Sequence, residues 1–97
     1  MKAPGNYKFL LYTAEDTQNS ALAVANLTAI CKAHLGNRYA IEVIDVVRHP
    51  QRALEDGIRM TPTLVKLWPH PKLTIVGTLS QTQRVMTALG IVDAAAA

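Results

Sequence analysis

Met60-Thr61-Pro62-Thr63-Leu64 is the stretch whose reading decides the fold, because a proline at the mouth of an apolar run governs the backbone path and what can approach it. An X-Pro bond accepts the cis form at a cost of only about 0.5–1 kcal/mol. In a turn that feeds a strand that isomer is usually built in; a surface turn with a trans proline is the bland alternative. Pro62 has no N–H to give to a ladder, so it belongs at the first position of a strand or on an edge. Thr63-Leu64-Val65-Lys66-Leu67-Trp68 then supplies a β-branched, apolar strand.

Outward from that corner, Trp68-Pro69-His70-Pro71-Lys72 reads as a proline-stiffened turn and Leu73-Thr74-Ile75-Val76 as the strand returning beside the first. Ser80-Gln81-Thr82-Gln83 has the capping-box pattern. Arg84 to Leu89 continues as a helix with Val85, Met86 and Leu89 facing inward, ended by Gly90. Upstream, Gln51 to Asp56 supports a short helix between Pro50 and Gly57. Tyr39 to Val47 is a β-branched strand ended by Arg48-His49-Pro50. Ala21 to His34 is a helix with Asn19 or Ser20 as its cap, Val24, Leu27 and Cys31 as its core stripe, and Gly36 at its left-handed exit. Tyr7 to Thr13 is a nearly continuous apolar run, the mark of a strand buried on both faces. One helix between the first two strands predicts a right-handed βαβ unit with parallel strands. The order is βαβαββα, an α/β fold. With neither repeat nor linker, residues 1–97 are expected to form a single domain with a core over about 7–92 and a frayed or artificial tail at 93–97.

Composition bounds the function. Nearly half of the 97 residues are apolar (49%) and 18% are charged, which is globular rather than disordered. The apolar stretch Ala21 to Ile30 is too short and too polar to cross a bilayer. The N-terminus lacks a signal-peptide pattern, so no membrane association and a cytoplasmic location are expected. One cysteine excludes an internal disulfide and a zinc site built on several thiolates. The net charge of +3 is spread over scattered lysines and arginines with no aromatic ladder, which speaks against nucleic acid and suits an acidic protein partner.

The element order and the proline corner look like thioredoxin-like domains, in which the peptide before the proline faces the active site. In that fold the redox pair sits where the first strand hands over to its helix, whose N-terminus lowers a thiol pKa. Here that place reads Thr13-Ala14-Glu15-Asp16-Thr17-Gln18-Asn19-Ser20 and holds no cysteine. Glu15 and Asp16 can only favour the helix start electrostatically, and Cys31 lies far along the helix on the apolar stripe, as a small core hydrophobe. His34, His49 and His70 lack ligand spacing, the glycines form no phosphate loop, and Asp45 has no paired acid. Trp68 is either a core plug or an exposed contact aromatic. No catalytic residue, metal or cofactor is expected, and what remains is a scaffold with surfaces for binding.

Five segments carry a closer resemblance: Leu11-Tyr12-Thr13-Ala14 with Thr17-Gln18-Asn19-Ser20; Ile44-Asp45-Val46-Val47-Arg48-His49-Pro50-Gln51; Thr61-Pro62-Thr63-Leu64-Val65-Lys66; and Val76-Gly77-Thr78-Leu79-Ser80. Together they resemble the KaiB family of circadian clock proteins over about Tyr7 to Val92. The resemblance implies a regulator without catalysis that docks on the ring ATPase KaiC and displaces or recruits other clock or histidine-kinase components. It also implies two folds, a ground state with a rearranged second half, often tetrameric, and a thioredoxin-like state that binds the partner. Where the clock pattern has a glycine followed two residues later by an acid, this chain has Ala88, Leu89 and Gly90. Alanine favours a helix interior by roughly 1 kcal/mol over glycine, which predicts the thioredoxin-like state with monomer or dimer ahead of tetramer.

Other departures bear on the role. Glu15-Asp16 replaces Gly-Asn in the first loop, Leu73-Thr74 replaces a basic pair, and the acidic C-terminal tail is absent, so a non-clock or stress pathway with a KaiC-like ATPase fits as well as an oscillator. Lys66 matches a lysine on the ATPase-binding side and Asp56 an acid in the short-helix region; either is equally a solvated charge. The expected partner-binding residues are thus Asp56, Arg59, Pro62 and Lys66, with Pro62 and Ala88 structural, and binding is expected to weaken in Lys66→Glu. The reading from another class is a thiol sensor or degenerate oxidoreductase using Cys31.

Overall fold

The computed structural model of the chain describes residues 6–91. Its elements run β1 (Tyr7–Thr13), α1 (Gln18–His34), β2 (Tyr39–Asp45), α2 (Pro50–Glu55), β3 (Thr63–Trp68), β4 (Leu73–Val76) and α3 (Thr82–Leu89). This is the βαβαββα order predicted from the proline corner outward. The four strands form one sheet in the order β2-β1-β3-β4. β1 and β2 are parallel; β3 runs antiparallel to both β1 and β4. Thr82–Leu89 is helical, as expected from alanine rather than glycine at position 88. The tail expected at 93–97 lies outside the described residues.

Burial on both faces explains the continuous apolar character of β1. Tyr7, Phe9 and Leu11 join α1 and α3 through Leu27, Cys31, Met86 and Leu89, while Leu10 and Tyr12 pack on the opposite face with Ile44, Ala53 and Val65. The two clusters divide the strand by the period of two that any strand imposes. The Tyr7 hydroxyl donates to the Gly90 carbonyl at 3.2 Å, tying the first strand to the end of the last helix.

Four local expectations are corrected. The first helix starts earlier than the alanine run suggests and is capped by Thr17, whose Oγ1 accepts from the Ser20 N–H at 3.3 Å; neither Asn19 nor Ser20 is the cap. The capping box at Ser80 does not form: Gln81 is the N-cap, without a side-chain hydrogen bond, and the Ser80 hydroxyl accepts from Thr78 Oγ1 at 3.2 Å instead. β2 stops at Asp45 rather than Val47, because Asp45 Oδ1 accepts from the Val47 N–H at 2.7 Å and the Arg48 N–H at 3.4 Å and turns the chain. Lys66 is not a freely exposed surface side chain: it is 4% exposed on β3, in register with Phe9 on one side and Leu73 on the other. Among the described residues no buried side-chain nitrogen or oxygen is left unpaired, which leaves the Lys66 ammonium at the solvent end of a buried stem.

Candidate partner-docking surface

The place of a thioredoxin redox pair is occupied here by a loop that satisfies itself. The Ala14 N–H donates to Ser20 Oγ at 2.9 Å, the Thr17 hydroxyl donates to the Ala14 carbonyl at 3.0 Å, and Thr17 Oγ1 caps α1. Glu15 and Asp16 lie before the helix rather than in its first turn; Glu15 faces Arg48 at 3.6 Å and Asp16 takes a left-handed φ of 60°. Cys31 is fully buried, and burial pushes its thiol up to about 12. A thiol so placed carries almost no thiolate at neutral pH, so the geometry opposes the sensor and oxidoreductase reading.

The proline corner is built from the sheet side. Thr61-Pro62 is cis, and Pro62 is buried, with its carbonyl accepting from the Gly77 N–H at 2.9 Å. The Thr63 hydroxyl closes the turn onto the Met60 carbonyl at 2.6 Å. The residues leading into the corner are turned outward, with Arg59 exposed and Met60 62% exposed. A cleft of about 310 Å³ runs from Asp56 and Arg59 past Met60 to Thr74 and Val76.

Asp56 belongs to the support of this surface. Its Oδ2 accepts from the Tyr12 hydroxyl at 2.5 Å and its Oδ1 lies 3.7 Å from Lys72 Nζ. The same Tyr12 hydroxyl is 3.3 Å from the Arg52 carbonyl, so one buried phenol fixes the end of α2 just before the exposed segment. Burial first, then the hydrogen bond to Asp56, pushes the Tyr12 pKa up to about 12. Arg52 clamps α2 to the edge strand through a two-pronged pair with Glu42 at 2.7 and 3.2 Å, which holds the Glu42 carboxyl below its usual range.

Of the four expected binding residues, then, Arg59 is presented to solvent, Asp56 is half-buried beside it, and Pro62 and Lys66 sit inside the frame. Ala88 lies in α3 with its side chain exposed. Trp68 takes the exposed of its two readings, at 43%, with its ring edge to face with His70 at 4.7 Å. The Tyr12–Asp56 and Glu42–Arg52 links escaped sequence reasoning because no local spacing announces a contact between residues 44 or 10 positions apart. Among the described residues no three potential metal ligands come together, and no helix is long and apolar enough to cross a membrane.

The family model described as the KaiB domain matches residues 10–91. The circadian clock protein KaiB3 of Synechocystis sp. is 44% identical over 82 residues, covering 84% of this chain and 80% of that protein. The circadian clock oscillator protein KaiB of Nostoc punctiforme is 42% identical over 91 residues, covering 94% and 88%. Among solved structures, the N-terminal domain of SasA from Synechococcus elongatus superposes with a TM-score of 0.73 at 21% identity, over 92% of this chain and 84% of that one. Chloroplastic thioredoxin z gives a TM-score of 0.73 at 22% identity, over 88% and 76%. The structural likenesses establish the thioredoxin-like fold. The sequence relatives are named as clock proteins, not enzymes.

Proposed function

Since the chain belongs to the KaiB family, we propose that it is a non-catalytic docking protein that binds a ring ATPase of KaiC type and modulates its assembly or signalling, in a circadian clock or a related stress or timing pathway. One observation carries the reading: the thioredoxin-like frame and its buried proline corner are intact, while the redox position between β1 and α1 is a cysteine-free loop and Cys31 is sealed in the core. The exposed Arg59–Met60 segment, held from behind by Tyr12, Asp56 and Pro62, is the contact surface; Lys66 supports it from within the sheet. An acidic surface on the ATPase suits the net charge of +3, and other clock or histidine-kinase components compete for the docked protein.

The test is co-elution of the purified chain with the KaiC-like ATPase encoded in the same genome, with ADP and with a non-hydrolysable ATP analogue. Complex formation that differs between the two nucleotides and weakens about fivefold in Arg59→Glu is expected. No association with any KaiC homologue of that genome in either state would remove the proposal. Light scattering of the free chain is expected to give one or two copies rather than four.

A further inference from the structure

The two edges of the sheet are unlike. β2 carries Glu42 at its middle and Asp45 at its end, and Arg52 from α2 reaches over to Glu42. Charges on an edge strand are the usual guard against unwanted pairing. β4 reads Leu73-Thr74-Ile75-Val76, with no charge, no proline and three residues of high strand preference. The Gly77 N–H points at the Pro62 carbonyl. By the alternation of an antiparallel ladder Ile75 also faces β3, so Thr74 and Val76 turn their N–H and C=O groups to the open edge.

Each face of this edge opens on a cleft. Thr74 is in register with Val65, and it lines the cleft of about 310 Å³ that holds Arg59, Met60 and Val76. Ile75 is in register with Leu64, on the α3 side, and it lines a second cleft of about 440 Å³ with Leu79, Arg84 and Ala88. Arg59 and Arg84 are both exposed, and neither forms an ion pair among the described residues; the carboxylate in the first cleft, Asp56, is already held by Tyr12 and Lys72. The uncommitted charge on both faces is positive.

The geometry points to β4 as the docking edge for an extended acidic segment of the partner protein, which adds as a fifth strand and sends carboxylates alternately to Arg59 and Arg84. Main-chain bonds to Thr74 and Val76 give the attachment, and the two clefts read side chains on opposite faces. This inference rests on the docking role proposed above and names the chemistry of what docks.

The period of two makes the test specific. Two capped eight-residue peptides of one composition are titrated into the labelled protein and followed by amide chemical shifts. One has glutamates at its third and sixth positions, on opposite faces of a strand; the other has them at the third and fifth, on the same face. The first is expected to bind about fivefold more tightly, with shifts centred on Thr74, Val76, Arg59 and Arg84. Thr74→Pro removes an outward N–H without touching the β3 ladder and should abolish binding, while Val43→Pro on the other edge should leave it; both variants are first shown to melt cooperatively. Arg59→Glu and Arg84→Glu should each weaken the first peptide about fivefold. Equal binding of the two peptides, survival of binding in Thr74→Pro, or concentration-dependent self-association of the wild type that Thr74→Pro abolishes would overturn the inference, the last because the edge would belong to a second copy. If neither peptide binds and Thr74→Pro captures the ATPase at wild-type level, the edge is not the site while the docking role stands. If the peptides bind as expected and the wild type captures no ATPase, the docking role fails and the edge remains.

Discussion

The Tyr12 phenol links β1, the end of α2 and the segment before the proline corner, and its proton is bound more tightly in the folded chain than in the unfolded one. Burial, then the hydrogen bond from the Tyr12 hydroxyl to Asp56, raises its pKa from 10.0 to about 12. A raised folded-state pKa contributes stability that is complete below the unfolded value and lost as pH rises through the folded value, because the unfolded state holds fewer protons in that window. Denaturant titrations should therefore show stability falling between pH 10 and 12, by on the order of 2 kcal/mol from this group at about 1.4 kcal/mol per unit. Tyr12→Phe should be about 1 kcal/mol less stable at neutral pH, having lost a hydrogen bond, yet show a flatter alkaline limb; equal slopes in the two proteins would sink the assignment. Cys31 contributes in the same direction, since burial raises its pKa from 9.0 to about 12. Its alkylation in native protein at neutral pH should run only as fast as the core opens, accelerating sharply in denaturant. Rapid labelling of the folded chain would restore the thiol-sensor reading.

At the scale of elements, α3 is the segment whose helical state carries the thioredoxin-like assignment. It buries Val85, Met86 and Leu89 and ends at Gly90, which takes a left-handed φ of 75°. Ala88 sits on its exposed side, so Ala88→Gly changes helix preference with little loss of packing and should cost about 1 kcal/mol, lowering the melting temperature by roughly 4–8 °C. Amide chemical shifts of Gln81 to Leu89 should report helix in both proteins, and strand-like shifts in the wild type would refute the thioredoxin-like assignment. The strands were the most legible part of the chain: β1, β3 and β4 have the very bounds their apolar runs and flanking prolines predict. What misled lay at element ends, where a side chain chooses between neighbouring partners of similar energy. Val46 and Val47 prefer strand, and the Val46 N–H still reaches the Thr13 carbonyl, but the Asp45 carboxylate captures the N–H groups of Val47 and Arg48. Ser80 fits a capping box, but its hydroxyl is engaged by Thr78. The alanine run sets the helix start too late, at Ala21, whereas Thr17 and Ser20 are spaced for the cap that forms.

Lys66 and Arg59 test how the whole molecule divides support from contact. Sequence makes them equivalent, two isolated cations near Pro62, and only the sheet tells them apart: β3 lies second from the edge, its residues from Thr63 to Lys66 are buried, and Lys66 is 4% exposed whereas Arg59 is turned to solvent. Lysine survives there because its long stem carries the ammonium to water. A glutamate is too short to do the same, so Lys66→Glu would bury an unpaired carboxylate beside Phe9 and Leu73 at a cost of about 3 kcal/mol or more. The expected outcome is a melting temperature lower by roughly 10 °C or more, with partner capture lost in proportion to the unfolded fraction. The same charge reversal at Arg59 should leave melting within about 2 °C, as surface substitutions usually do, and still weaken capture about fivefold. Circular dichroism melts alongside the co-elution assay separate the two effects. If Lys66→Glu melts like the wild type and loses binding, the lysine is itself a contact residue and its burial in the sheet is wrong. If Arg59→Glu keeps both its stability and its full affinity, the outward face of the proline corner is not where the partner rests.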